Sequence, residues 1–185
     1  MAIIKCKMCG GDLNLIEGAS TAECEYCGTK QTIPKLDDDR RANLYDRANH
    51  FRRNSEYDKA MAVYEQLLNE DNTDAEAYWS IVLCRYGIEY VDDPATAKKI
   101  PTCHRTQAES ILSDPDYLAA IDYYDAQSVS VIEEQAKQIN KIQSKILEIS
   151  RREPPYDLFI CYKETDEVGG RTEDSIIAQD LYYEL

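Results

Sequence analysis

The sequence predicts a mainly α-helical chain with a small cysteine-bearing β ribbon at its N-terminus and a short β-loop-α unit at its C-terminus. Three observations carry that expectation. Two CxxC pairs, Cys6-Lys-Met-Cys9 and Cys24-Glu-Tyr-Cys27, stand near the N-terminus. From Arg41 onward apolar residues recur at helical spacing. Ala126 to Arg152 then contains neither Pro nor Gly and carries one apolar stripe.

Fourteen residues separate the two cysteine pairs. Each pair can turn tightly enough to place two thiolates on one ion. Gly10 and Gly28 follow the second cysteine of each pair, where such a turn needs positive φ. Cys6, Cys9, Cys24 and Cys27 are therefore the expected metal ligands, in the four-sulfur arrangement of a structural zinc site. Spacing alone leaves a four-thiolate iron site open. A thioredoxin-like redox pair would need a βαβ setting, and haem attachment would need a His after the CxxC. Four cysteines leave no open coordination position, so the expected role is structural. Leu13 and Leu15 alternate before a turn near Gly18, and Gln31 to Ile33 reads as a second short strand. A unit of this size has little core of its own, so the metal is expected to supply much of its folding free energy.

Asp37 to Asp39 read as a helix start that favours the positive helix end. Leu44, Ala48, Phe51, Ala60, Tyr64 and Leu67 then fall in a pattern that resembles a tetratricopeptide repeat, with Asn54-Ser-Glu56 as the inter-helix turn. Asn72 stands where that consensus has its final Pro. Thr73 to Tyr86 opens a second repeat, capped by Gly87. The pattern lapses between Ile88 and Pro101, an expected irregular excursion. Thr102 to Leu112 reads as a short helix, and Asp114-Pro115 as the start of another. Nine of the fourteen tyrosines lie between residues 45 and 124. They read chiefly as packing residues, the sharper alternative being a concave groove that holds a peptide or a small ligand, with Tyr and Trp as anchors. Cys103-His104 invites comparison with a nucleophile pair, but neighbours on a helix or strand point apart, so no catalytic residue is assigned. Cys84 and Cys161 read as buried small apolar residues.

In the long helix, Ile132, Ala136, Ile139, Ile142, Ile146 and Ile149 form the stripe. It reads either as a face packed on the helical middle or as a short homo-oligomeric seam over 126–150. Pro154-Pro155 ends it. Leu158, Phe159, Ile160 and Tyr162 then form an apolar run expected to be a buried strand. An acidic loop follows, expected to be disordered around Asp166–Asp174. Last comes a helix from Ser175 onward, with apolar residues at 176, 177, 181, 182 and 185.

Charge and hydropathy limit the function classes. The net charge is −14 over 185 residues, which disfavours nucleic-acid binding and anionic membrane surfaces. Residues 1–35 carry four lysines against four carboxylates, so the ribbon lacks the basic face of a nucleic-acid binder. No run approaches the roughly 18–20 apolar residues of a membrane span, and Met1-Ala-Ile-Ile-Lys-Cys is no secretory leader. A cytoplasmic chain is expected.

Tyr156-Asp-Leu-Phe-Ile-Cys-Tyr162, with Asp166 shortly after, resembles the opening strand motif of Toll/interleukin-1 receptor (TIR) domains. Arg171 to Leu185 is similar to the helix that follows it. The order of parts also resembles bacterial proteins with a zinc ribbon, a helical repeat region and a C-terminal TIR domain. The resemblance implies four segments: a ribbon at 1–35, a tetratricopeptide-like domain at 36–125, a connecting helix at 126–153, and an incomplete flavodoxin-like TIR domain at 154–185. It implies TIR association or NAD cleavage for the complete domain, with NAD as substrate. It places Tyr162, Lys163 and Asp166 at the NAD pocket, while Glu164 and Glu167 are not at the catalytic-glutamate position. The catalytic helix and remaining strands are not within the 185 residues, so this chain alone is expected to be inactive. The alternative is a ribbon-and-repeat adaptor that binds a protein partner in its own right.

Overall fold

The computed structural model describes residues 4–16, 18–36, 39–94, 99–152 and 160–184. By its contacts the chain divides into two compact units, Met1–Ile149 and Ser150–Leu185.

The first unit begins with the ribbon. Strands β1 (Thr21–Glu23) and β2 (Lys30–Thr32) pair antiparallel, with Ala22 opposite Gln31. The alternation at Leu13 and Leu15 yields no strand. Asp12 instead makes an isolated bridge with Lys5, Leu13 is buried, and Leu15 and Ile16 are exposed.

Helices α1 (Asp39–Arg53) and α2 (Tyr57–Glu70) form the expected pair. Of the expected helix start, Asp37 and Asp38 lie outside the described residues. Ser55 turns the chain with φ 59°, and Glu56 N–H closes the turn on Phe51 O at 2.9 Å. The small residues are where the repeat pattern needs them: Ala48 and Ala60 are fully buried, which lets the helices approach around Tyr64 and Leu67.

Helix α3 (Ala75–Arg85) is capped by Asp74, whose carboxylate accepts Ala77 N–H at 3.1 Å. It is buried on almost every side, Glu76 and Ser80 included. Ala77, Ile81 and Cys84 face the α1–α2 core. Trp79, Val82 and Leu83 face a second core completed by the later elements.

The expected irregular excursion is a β-hairpin. β3 (Ile88–Asp92) pairs with β4 (Lys99–Cys103), Tyr90 opposite Pro101. Proline is tolerated here because a two-stranded hairpin has free edges. The helix expected over Thr102–Leu112 does not form. Thr102 and Cys103 finish β4, and the next two amides return to the end of α3: His104 N–H to Gly87 O at 3.0 Å and Arg105 N–H to Tyr86 O at 3.1 Å. Gly87 sits at φ 59°, and a Cβ there would meet Arg105 N at 3.0 Å. Arg105 then pairs with Asp58 and lies over the Tyr57 ring. Only a 3₁₀ turn, Ile111–Ser113, remains of the expected helix.

Helix α4 (Pro115–Tyr123) starts as the Asp-Pro pair implies, Asp114 accepting Asp116 N–H at 2.9 Å. Helix α5 (Ala126–Arg152) has the expected bounds. The first half of its stripe packs on the helical core, where Ile132, Ala136 and Ile139 are fully buried, while Ile142 and Ile146 are half-buried. Gln143 continues the buried face as a polar staple, its Nε2 donating to Gln107 O and Glu109 O at 2.6 Å each. Ile149 is exposed.

In the second unit, Tyr156 to Phe159 of the expected strand lie outside the described residues. Ile160 to Glu164 carry no regular structure, and Cys161 is exposed where burial was expected. The acidic loop is a hydrogen-bonded turn, not the disordered stretch its composition implied. Asp166 Oδ1 accepts Val168 N–H at 2.9 Å and Gly170 N–H at 2.8 Å, and Thr165 bridges Arg171. Short polar side chains satisfying their own backbone explain the order. Helix α6 (Glu173–Glu184) follows as expected.

Candidate metal centre

Each CxxC folds into the same knuckle. Gly10 N–H returns to Cys6 O at 2.9 Å, and Gly28 N–H returns to Cys24 O at 2.8 Å. Both glycines take positive φ, 77° and 66°. Cys6 N–H and Cys24 N–H close the outer side on Gly11 O and Thr29 O. Two equivalent turns thus aim four sulfurs at one point.

The sulfurs of Cys6, Cys9, Cys24 and Cys27 all lie within 4.8 Å of one another. Cys6 and Cys27 are 3.7 Å apart, Cys9 and Cys24 3.6 Å. A tetrahedral ion with metal–sulfur bonds of roughly 2.3 Å has sulfur–sulfur edges of about 3.8 Å. A disulfide would need about 2.05 Å. The four cysteines can therefore hold a metal ion, and they fill all four positions of a tetrahedron.

The thiols already influence one another. Burial pushes Cys6 up, and it raises Cys9 to about 12 with help from the neighbouring sulfurs. Burial also opposes ionisation of Cys24, but the amides of Cys27 and Tyr26 and the thiols of Cys9 and Cys27 bring it down to about 7. A cation among the sulfurs would favour their thiolate forms.

Around this cluster stands a network that sequence reasoning missed. Lys7, inside the first knuckle, is only 7% exposed and pairs with Glu76, only 3% exposed, at the start of α3. Lys7 Nζ also donates to Thr32 Oγ1 at 2.8 Å. Thr32 and Tyr124 hydroxyls each donate to Glu76 at 2.6 Å. Arg52, 3% exposed, donates from Nη2 to Lys7 O at 2.9 Å and has no carboxylate partner among the described residues. Two buried cations thus face one buried carboxylate at the knuckle. A divalent ion with four thiolates carries two net negative charges, which suits that surplus. No local signal links Lys7 to Glu76, far apart in sequence. The only hint was an acid in the first turn of α3, where the helix dipole favours it.

The remaining expected site residues stay apart. Tyr162 is 46% exposed. Lys163 contributes its carbonyl to Thr172 Oγ1. The Asp166 carboxylate is engaged by its own loop, as described above. Cys103 Sγ lies 3.4 Å from Tyr86 O, whereas His104 Nε2 lies 3.3 Å from Glu89, so they form no nucleophile pair. Tyr64, Tyr86 and Trp79 are buried in the cores, which favours packing over a tyrosine-lined groove. No described helix is long and apolar enough to cross a membrane.

The fold and site define a mainly helical chain carrying a four-cysteine centre able to hold a metal ion. No protein-family model, curated protein or solved structure matches the chain.

Proposed function

We propose that residues 1–149 are a zinc-stapled helical scaffold forming the regulatory part of a TIR-domain signalling protein. The observation that carries the scaffold reading is Lys7, buried from the knuckle onto Glu76 of the central helix. It ties the four-cysteine centre to the helical core. A substrate would need an open coordination position, and the four cysteines leave none. The ion's work is structural: it supplies the crosslink, while Lys7, Arg52, Thr32 and Glu76 carry that crosslink into α1 and α3.

The TIR part of the reading rests on the sequence resemblance of Tyr156 to Asp166, and the helix α6 that follows it in the chain supports that reading. No described residue of the C-terminal unit is assigned a catalytic role, and the Asp166 carboxylate is committed to loop amides. The purified 185-residue chain is therefore expected to leave NAD intact. Clear NAD turnover would contradict this assignment. A protein-binding adaptor is the second reading, favoured by the exposed Val168, Ile176, Ile177, Leu181, Tyr182 and Tyr183 of that unit.

A further inference from the structure

Between the ribbon and α1 lies a cavity of about 50 Å³. Gln31, 1% exposed, is part of its wall. Its Oε1 accepts Lys7 N–H at 2.9 Å, and its Nε2 is buried with no hydrogen-bond partner among the described residues. Asn49 of α1 is on the same wall. Its Oδ1 takes the Tyr64 hydroxyl at 2.9 Å, which assigns the other end of that carboxamide as the donor. Asn49 Nδ2 donates to no described residue. Two carboxamide nitrogens on one cavity wall therefore lack acceptors, where polar groups of folded proteins normally find them.

The charge of the lining points the same way. Lys5 and Arg53 line the cavity, are exposed, and pair with no carboxylate among the described residues. Lys7 and Glu76, both buried, neutralise each other. Asp46 is the remaining acid. Three cations thus face two carboxylates, in a chain whose net charge is −14. Positive charge and unpaired N–H groups together select an oxyanion. A water occupies about 30 Å³ in the liquid, so the space admits a carboxylate head and is too small for a ring.

We propose that this cavity binds the carboxylate of a small organic acid, held by Gln31 Nε2 and Asn49 Nδ2 within and by Lys5 and Arg53 at the mouth. The rest of such an acid would project past the two cations into solvent.

Its test titrates sodium formate and sodium acetate into the full chain, with sodium chloride at matched ionic strength as the control. The readout is the side-chain amide resonances of Gln31 and Asn49. Both are expected to shift saturably with the carboxylates and not with chloride. Arg53→Ala, at an exposed position, should weaken the saturation roughly 2–5-fold. Asn49→Asp keeps an oxygen for the Tyr64 hydroxyl and sets a negative charge where the donor stood, which should abolish the Gln31 shift. Circular dichroism checks that both variants keep the helical fold, and if Asn49→Asp loses it, Arg53→Ala decides. No saturable shift, or the same shift in chloride, would mean a cavity that holds only water and would overturn the proposal. Wild-type saturation in Arg53→Ala would also overturn it.

Discussion

Helices α3 and α6 are nearly equal in length, yet α3 buries large apolar side chains and α6 only small ones. Helix α3 encloses Trp79, Ile81, Val82, Leu83 and Cys84 between two cores. Helix α6 buries only Ser175 and Ala178 and leaves Ile176, Ile177, Leu181, Tyr182 and Tyr183 exposed. The first derives its stability from tertiary packing. The second depends on local devices, chiefly the Thr172 hydroxyl that accepts Ser175 N–H at 3.1 Å and the Arg171–Gln179 hydrogen bond of 2.6 Å. An apolar pattern at helical spacing therefore says that a helix forms and leaves open what covers it.

Substitutions can break or sharpen that contrast. The largest effect is expected at the buried ion pair. Glu76→Ala leaves the buried Lys7 amine, already pushed down by burial, without its carboxylate partner, and should destabilise the N-terminal unit by up to about 3–5 kcal/mol. Replacing Lys7 and Glu76 together by apolar residues should recover part of that loss. Denaturant unfolding of both variants checks this, and a near-neutral Glu76→Ala would mean that the pair is solvated. Next comes a matched truncation. Leu83→Ala, at a buried α3 position, is expected to cost about 2–5 kcal/mol. Ile177→Ala on α6 should stay within about 0.5 kcal/mol. Equal effects would erase the distinction between the helices.

The smallest effect is the pH dependence. Burial raises Tyr57, Tyr86 and Tyr90 from 10.0 to about 12, Glu89 adding to the shift of Tyr57. In the unfolded chain these phenols ionise near 10 and release protons that the folded chain keeps. Their contribution is therefore complete below pH 10 and declines from about pH 10 to about pH 12. Thermal melting across that range should show the decline in the N-terminal unit, and a flat profile would contradict the burial of these rings.

Much of this architecture is legible in the sequence where local chemistry decides it. The Gly after each CxxC, the Asp-Pro at 114–115 and the uninterrupted run from Ala126 to Arg152 each name their own structure. The β3–β4 hairpin is hidden because Pro101 argues against a strand, and only a free edge makes it acceptable. The segment after it loses its helix to bonds from His104 and Arg105 back to the end of α3, a tertiary effect. Lys7 is the same case at the site. Between two cysteines a lysine reads as solvated, and only the distant Glu76, Thr32 and Tyr124 make it a buried anchor.

Four cysteines able to hold one ion are proposed to brace the helical unit through it. Metal content and thermal unfolding of the wild-type chain and Cys24→Ser test it most directly. One zinc per wild-type chain is expected, lost in Cys24→Ser together with a lower melting temperature. A full zinc equivalent and unchanged melting in Cys24→Ser would contradict the four-thiolate staple.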